Sequence, residues 1–309
     1  MTTNDLPRKI GSVFISHPTK EIFPAQGITK WEIAEYYHAV YKVIFPYLEG
    51  RPLSFIRCPS GVEENCFVQK HPGAWLAKEV PRVTLPEVEG QGEYIFVENE
   101  EHLLALVQAN IVEMHAWTSR LPDIDHPDQM VFDLDPDETV GSPQVVKMAL
   151  ALRDLLLEFE LESFPRVTGG KGMHLVVPIA RIHSWQEVNT CAFSLASRLV
   201  DLFPEDLTVN PLKQQRRGKI FVDYLRNSRG ATCVVNYSLR VKPHATVAMP
   251  LSWSEVSPRL QMNGFSLASA KRCIDAGLTD PWEGFRELQQ RLPAQEIPPI
   301  FDTGVQRNL

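Results

Sequence analysis

Apolar residues recur at helical spacing through GITKWEIAEYYHAVYKVIFPYLEG, at Trp31, Tyr37, Val40, Tyr41 and Ile44. Thr29 precedes this run and Glu32 follows three residues later. The two form a capping-box pattern, so the spacing predicts a helix starting near residue 30. PLSFIR (Pro52 to Arg57) and YIFVEN read as strands, followed by a helix from Glu101 to about Gln108 and an alternating strand, IVEMHAW. In the centre, QMVFDLDP is a strand stopped by Pro136, and VVKMALALRDLLLEFEL is a strongly apolar helix. FPRVTGG and KGMHLVVPI are extended segments joined at Gly169-Gly170. A long helix is expected from about Trp185 to Leu202, then two strands, KIFVDYL and ATCVVNYSL, that look like a hairpin. Short helices near Ala268 to Ala276 and Pro281 to Gln290 precede the proline-rich QEIPPIF. Strands come in pairs and not in regular β-α-β-α alternation, and no flexible linker intervenes. The pattern predicts a mixed α/β fold of two closely joined lobes. Neither a dinucleotide-binding glycine loop nor a Walker A motif is present.

Composition narrows this picture. A chain of 309 residues leaves room for about two domains. No run of about 20 apolar residues suggests a membrane span, and the polar start, Met1 to Lys9, lacks a signal-peptide apolar region. A cytoplasmic location, away from membranes, is expected. The cysteines Cys58, Cys66, Cys191, Cys233 and Cys273 are odd in number and include no C-x-x-C pair. That argues against a disulfide framework or a cysteine-rich zinc site and for reduced, buried thiols. A net charge of −7 counts mildly against nucleic acid as a partner. Local patches matter more than net charge, however. KQQRRGK, Lys213 to Lys219, with Arg226, Arg229, Arg240 and Lys242 after it, is either such a patch or a solvated face.

Chemistry concentrates around four segments. Strand residues alternate faces, so Met130, Phe132 and Leu134 point into a core while Val131, Asp133 and Asp135 point the other way. The two carboxylates would stand roughly 7 Å apart along the strand, within reach of two divalent ions about 4 Å apart. Oxygen donors suit magnesium or manganese; the Asp-Pro pair could instead simply terminate a solvent-facing strand. In IFVDY, Ile220, Val222 and Tyr224 share one face, leaving Phe221 and Asp223 on the other. An acid inside an apolar strand is costly unless paired or metal-bound. Asp223 is therefore either salt-bridged to a nearby arginine or a third carboxylate for two-metal nucleotidyl transfer. In VTGGKGMHLVV, Thr168, Lys171 and His174 can donate to phosphate, and the glycines let backbone N–H groups approach an anion. His174 could equally be a satisfied core residue. Arg240, at the end of ATCVVNYSLR, suits forked phosphate contacts.

Taken in order, FDLDP, TGGKG-x-H, VDYLRNSRGAT and SLR-x-KP resemble the three-motif core of primase-type polymerases. The nearest likeness is the polymerase domain of bacterial ligase D and its stand-alone relatives in non-homologous end joining, within the archaeo-eukaryotic primase superfamily. KEIFPAQGITK, RPLSFIRCP and CFVQKH extend the resemblance over nearly the whole chain. It implies one primase-polymerase domain: a catalytic core on an antiparallel sheet with flanking helices, about residues 111–309, packed against an N-terminal α/β lobe, about 1–110, that binds DNA ends. Asp133, Asp135 and Asp223 would be the catalytic metal ligands. His115, Thr168, Lys171, His174 and Arg240 would surround the incoming triphosphate. Lys20 and Lys30 would grip the 5′-phosphate of a recessed downstream strand, with Arg57 and Phe67 also on the DNA. Lys30 lies in the first turn of the helix capped by Thr29, where free N–H groups favour an anion.

The family works with two divalent ions, manganese preferred over magnesium, and favours ribonucleoside over deoxyribonucleoside triphosphates. Its partners would be DNA ends, gapped duplex bearing a 5′-phosphate, a separate DNA ligase and a Ku-type end-binding protein. Thr168 departs from the usual serine but keeps the hydroxyl, and Val68 replaces a second aromatic of some relatives. No ligase or nuclease sequence is attached, so joining would fall to other proteins. Three alternatives remain: a primase starting strands de novo, a non-catalytic DNA-end-binding module and a metal-dependent nuclease. The lack of a cysteine-rich zinc module disfavours the first, the intact aspartates the second and the triphosphate-binding residues the third.

Overall fold

The computed structural model describes residues 5–277 and 279–294. The QEIPPIF segment and the first four residues lie outside them. In chain order the elements are β1 (Arg8–Ile10), β2 (Val13–Ile15), β3 (Glu21–Phe23), β4 (Ile28–Thr29), α1 (Lys30–Leu48), β5 (Leu53–Arg57), β6 (Phe67–Gln69), β7 (Arg82–Pro86), β8 (Gln91–Ile95), α2 (Glu100–Gln108) and β9 (Ile111–Trp117). Then come β10 (Gln129–Pro136), α3 (Ser142–Glu158), β11 (Phe164–Val167), β12 (Met173–Pro178), α4 (Trp185–Leu202), β13 (Leu207–Thr208), β14 (Ile220–Asp223), β15 (Thr232–Val234), β16 (Met249–Pro250) and α5 (Leu267–Asp275).

Two six-stranded sheets organise this mixed α/β chain. The first runs β15-β9-β5-β8-β7, with β6 also paired to β5; the second runs β13-β14-β10-β12-β11-β16. Pairing within them is antiparallel except between β13 and β14. Helices α1 and α2 pack against β9, and α3 and α4 against β10. One continuous apolar core joins Tyr37 of α1 to residues of both sheets, including Phe55, Met114, Phe132, Leu175 and Val222.

Local chemistry accounts for the element boundaries. The Thr29 hydroxyl accepts from Glu32 N, and Thr29 N donates to the Glu32 carboxylate at 2.7 Å, so the expected capping box starts α1. Ser184 and Glu187 repeat the device at α4. A buried ion pair ties the sheets together. Arg51, just before β5, donates through Nη1 and Nη2 to the two oxygens of Asp128, just before β10, at 2.8 and 2.7 Å. Arg120 Nε adds a 2.7 Å bond to the same carboxylate.

Three expectations need correction. KIFVDYL and ATCVVNYSL do not form a hairpin: β14 pairs with β10 in the second sheet, β15 with β9 in the first. Between them the buried Asn227 side chain caps β10, accepting from Val131 N and donating to Val131 O, each at 2.7 Å. Residues 281–290 form turns, not a helix, because Gly284 adopts φ +75°. Cys58 and Cys66 are joined in a disulfide and are not free thiols. Arg57 pairs with Phe67 in the antiparallel β5–β6 register, so Cys58, just after β5, and Cys66, just before β6, meet at the following position.

Candidate functional site

The antiparallel register of four adjacent strands places four polar residues in one row. Arg166 on β11 pairs with His174 on β12, His174 with Asp133 on β10, and Asp133 with Asp223 on β14. Side-chain alternation keeps paired residues on one face of a sheet. Asp135 follows on β10, opposite Phe221.

Arginines stand over these acids. Arg226 Nε lies 3.2 Å from Asp223 and 3.4 Å from Asp133, so one guanidinium bridges two nearly buried carboxylates. Arg216 Nη1 lies 3.2 Å from the more exposed Asp135 and stacks on the Phe221 ring at 3.7 Å. Neither arginine entered the site as read from the sequence, although both sit in or beside the basic run. Burial works to raise the Asp133 pKa, but His174, Arg226 and Arg240 outweigh it and hold the carboxyl at about 2. Burial, reinforced by the Asp133 charge, pushes Asp135 and Asp223 upward. Like-charged neighbours drive pKa values apart in this way.

The glycine loop lies beside the row. A Cβ on Gly172 would come within 2.4 Å of Leu134 O, so only glycine lets the loop pass this close to β10. Gly169 has φ +71°, and its carbonyl accepts from Thr246 Oγ1 at 2.6 Å. The Thr168 hydroxyl donates to Gly172 O at 3.1 Å, which closes the turn. Lys171 is exposed, 3.6 Å from Glu138. His174 is buried against the row. Its Nε2 is 3.4 Å from Asp133, and burial pulls its pKa down to about 4 against the opposing pull of Asp133.

The first sheet supplies the opposite wall. His115 on β9 and the β15 residues Thr232, Cys233 and Val234 face a cleft of about 530 Å³. Asp133, Asp135, Thr168, Lys171, His174 and Arg240 line the same cleft. Glu113, two residues before His115, is buried and was not singled out by the sequence reading. Its carboxylate lies 2.7 Å from His115 Nε2 and 2.9 Å from Arg240 Nε, and accepts from Val241 N at 2.7 Å. Burial raises its pKa, but the His115 hydrogen bond and the Arg240 charge prevail and set it at about 2. Arg240 also donates to Thr168 O, which couples the two walls. The signal for Glu113 was the one applied to Asp223: an acid inside a strand that is otherwise apolar.

A second cleft of about 270 Å³ lies at the N-terminal end, lined by Ser16, His17, Lys20, Lys30, Gln108 and Asn110. Lys30, at the start of α1, is almost fully buried and donates to Gln108 O at 2.7 Å. Burial, then the Lys20 and Arg57 charges, lower its pKa to about 8. Lys20 donates to Pro59 O. Arg57 donates to Ala109 O at 2.8 Å and its guanidinium covers Trp75 at 4.4 Å. Phe67 and Val68 lie exposed on β6 and line neither cleft.

The chemistry of the donor set fits divalent metal ions. The three aspartates offer hard oxygen donors on adjacent strands, and cationic guanidinium groups stand against them. As arranged, no three His, Cys, Asp or Glu side chains among the described residues close on one cation position.

A cleft of nucleotide size, with acids on one sheet and His115 and Arg240 facing them, is that of a nucleotidyl transferase of the primase-polymerase type. Residues 29–282 match the model of the LigD primase-polymerase domain, and the chain belongs to that family. It is 34% identical over 284 residues to the multifunctional non-homologous end joining protein LigD of Pseudomonas aeruginosa, covering 91% of this chain and 34% of that protein. It is 33% identical over 247 residues to the protein of the same name from Mycolicibacterium smegmatis, covering 79% and 32%. The chain thus spans about a third of the length of these curated relatives. The polymerase domain of Mycobacterium tuberculosis ligase D, solved in complex with DNA, superposes with a TM-score of 0.82 at 31% identity, covering 90% of this chain and 99% of that one. No helix among the described residues is long and apolar enough to cross a membrane.

Proposed function

We propose that the chain is a DNA repair polymerase of non-homologous end joining, adding nucleotides, ribonucleotides by preference, to primer 3′ ends at gaps and breaks. The observation that carries this reading is one cleft in which His115 and Arg240 face Asp133 and Asp135, with Lys171 on the loop beside the acids. Asp133, Asp135 and Asp223 would hold two divalent ions, manganese preferred to magnesium. When bound, these would activate the primer hydroxyl and neutralise the leaving pyrophosphate. Arg240, Lys171, Thr168 and His174 would hold the triphosphate, and His115 would lie beside the nucleotide.

The N-terminal lobe, about residues 1–110, would take the DNA end. Lys20 and Lys30 with the start of α1 would bind a 5′-phosphate, while Arg57 and the exposed Phe67 would meet the DNA nearby. Ligation would come from a separate ligase activity, with a Ku-type protein at the ends and the nucleoid as the place of work. Primer extension on a gapped duplex tests the reading, comparing ribonucleotides with deoxyribonucleotides and manganese with magnesium. Metal-dependent addition of single ribonucleotides is expected. Failure to extend any primer with either metal would overturn it.

A further inference from the structure

Arg166 lies at the buried end of the four-residue row, on the far side of His174 from Asp133. Its Nε and Nη2 donate to His174 Nδ1 at 3.1 and 2.8 Å, and its Nη1 donates to Asn236 Oδ1 at 3.0 Å. None of its hydrogen bonds reaches a carboxylate. Burying such a charge is costly without compensation, which sets Arg166 apart from Arg51, whose fork closes on Asp128. Burial lowers the Arg166 pKa to about 10, so the guanidinium keeps all its protons at neutral pH. It has donors and no acceptor.

We infer that Arg166 is a positioning residue that sets the tautomer of His174, keeping the ring proton on Nε2, where it faces Asp133 in the cleft. The donor–acceptor inventory forces this conclusion. A ring nitrogen that receives two N–H groups must present its lone pair, so Nδ1 carries no proton. In a neutral ring the single proton then sits on Nε2. Nε2 is the nitrogen toward Asp133, 3.4 Å from its Oδ2, and both residues line the cleft. Asn236, itself fully buried, holds the third guanidinium nitrogen and so fixes the fork's orientation. The consequence for binding rests on the reading of the cleft as a triphosphate site. A ring with Nε2–H offers a phosphate oxygen a donor, whereas the opposite tautomer would offer it a lone pair.

The test begins with the metal-free protein labelled with ¹⁵N at histidine, at one fixed neutral pH. The His174 signals are assigned by their loss in His174→Gln. Wild type should show Nδ1 as an unprotonated ring nitrogen and Nε2 as a protonated one. In Arg166→Met, which keeps bulk and removes the donors, the two nitrogens should move toward a tautomer mixture. Arg166→Lys, which restores a donor, should recover the wild-type pattern. In primer extension, Arg166→Met should raise KM for the nucleotide roughly tenfold or more, with the lysine variant closer to wild type. Should Arg166→Met fail to fold, the wild-type and lysine spectra still decide. A proton on Nδ1 in wild type, or an unchanged pattern in a folded Arg166→Met, overturns the inference. The spectra do not depend on polymerisation. An inactive protein with the expected spectra would refute the polymerase reading and leave the tautomer assignment standing.

Discussion

Glu113 and Arg240 form an ion pair at 2.9 Å although they approach the cleft from different segments, Glu113 from within β9 and Arg240 from the loop after β15. The same carboxylate holds His115, so one buried acid orients both the His115 ring and the Arg240 guanidinium beside the cleft. Glu113→Gln keeps the shape and removes the charge. We expect nucleotide KM to rise and kcat to fall together, with a loss of about 1.5–3 kcal/mol for the charged hydrogen bond. Steady-state kinetics with varied nucleotide would check this; an unchanged KM would remove Glu113 from the site.

Glu113 also carries a pH signature. Its pKa falls from 4.5 unfolded to about 2 folded. A depressed carboxylate contributes stability that is complete above the unfolded value and disappears as pH drops through the folded one. Between pH 4.5 and 2 the wild type should therefore lose stability more steeply than Glu113→Gln. Denaturant midpoints measured across that window would show parallel curves if the carboxylate were not held low.

Asp133→Ala and Asp223→Ala should each abolish nucleotide addition while the fold survives, because Arg226 keeps the remaining acid as its partner in either variant. The loss should equal or exceed the roughly 10²–10³-fold effect of deleting one transition-state donor. Extension assays with manganese, alongside circular dichroism, would test this. Near-normal extension by either variant would refute the metal assignment.

The Arg51–Asp128 pair should matter for stability and not for chemistry. Both residues are buried. Asp128→Asn leaves the Arg51 charge unpaired and should cost about 3–5 kcal/mol. Thermal melts should show a clear drop in Tm, while activity well below the melt should stay near wild type. A Tm within error of wild type would mean that the tie between the sheets carries little energy.

For the pocket proposed to take a 5′-phosphate, Lys30 sets the direction. With a pKa of about 8 it is charged at neutral pH and loses its proton as pH rises above that value. The preference for a 5′-phosphorylated gap over a 5′-hydroxyl gap should weaken between about pH 7 and about pH 9, a bound phosphate shifting the transition upward. Titrations at one fixed salt concentration would measure it. The Lys20→Ala, Lys30→Ala double mutant should lack the preference throughout. A preference that survives in the double mutant would place the phosphate elsewhere.

Much of this was legible in the sequence wherever a local rule decides the outcome. The Thr29–Glu32 cap, the limits of α4 and the outward face of Asp133 and Asp135 depend on neighbours a few residues away. The hairpin between β14 and β15 was misread because adjacency in sequence is a poor guide when a buried side chain, Asn227, redirects the chain. The Cys58–Cys66 bridge depends on strand register and not on a spacing motif. Arg166 and Glu113 carry no local motif, and Arg226 reads only as part of a basic run, because one partner of each is far away in sequence: Asn236 for Arg166, Arg240 for Glu113 and Asp133 for Arg226. The position of Asp223 beside Asp133 follows once its strand is taken together with the FDLDP motif.

The two walls of the cleft belong to different sheets, and this makes catalysis a sensitive gauge of how firmly the halves are clasped. The acids lie on β10 and β14, His115 on β9, and Arg240 bridges the gap through Glu113 and Thr168. A slight parting would separate donors from acids while leaving every strand hydrogen-bonded. Mild denaturant should thus silence nucleotide addition before circular dichroism records any loss of secondary structure. Bound nucleotide, by spanning the gap, should act as a staple and bring the two transitions together.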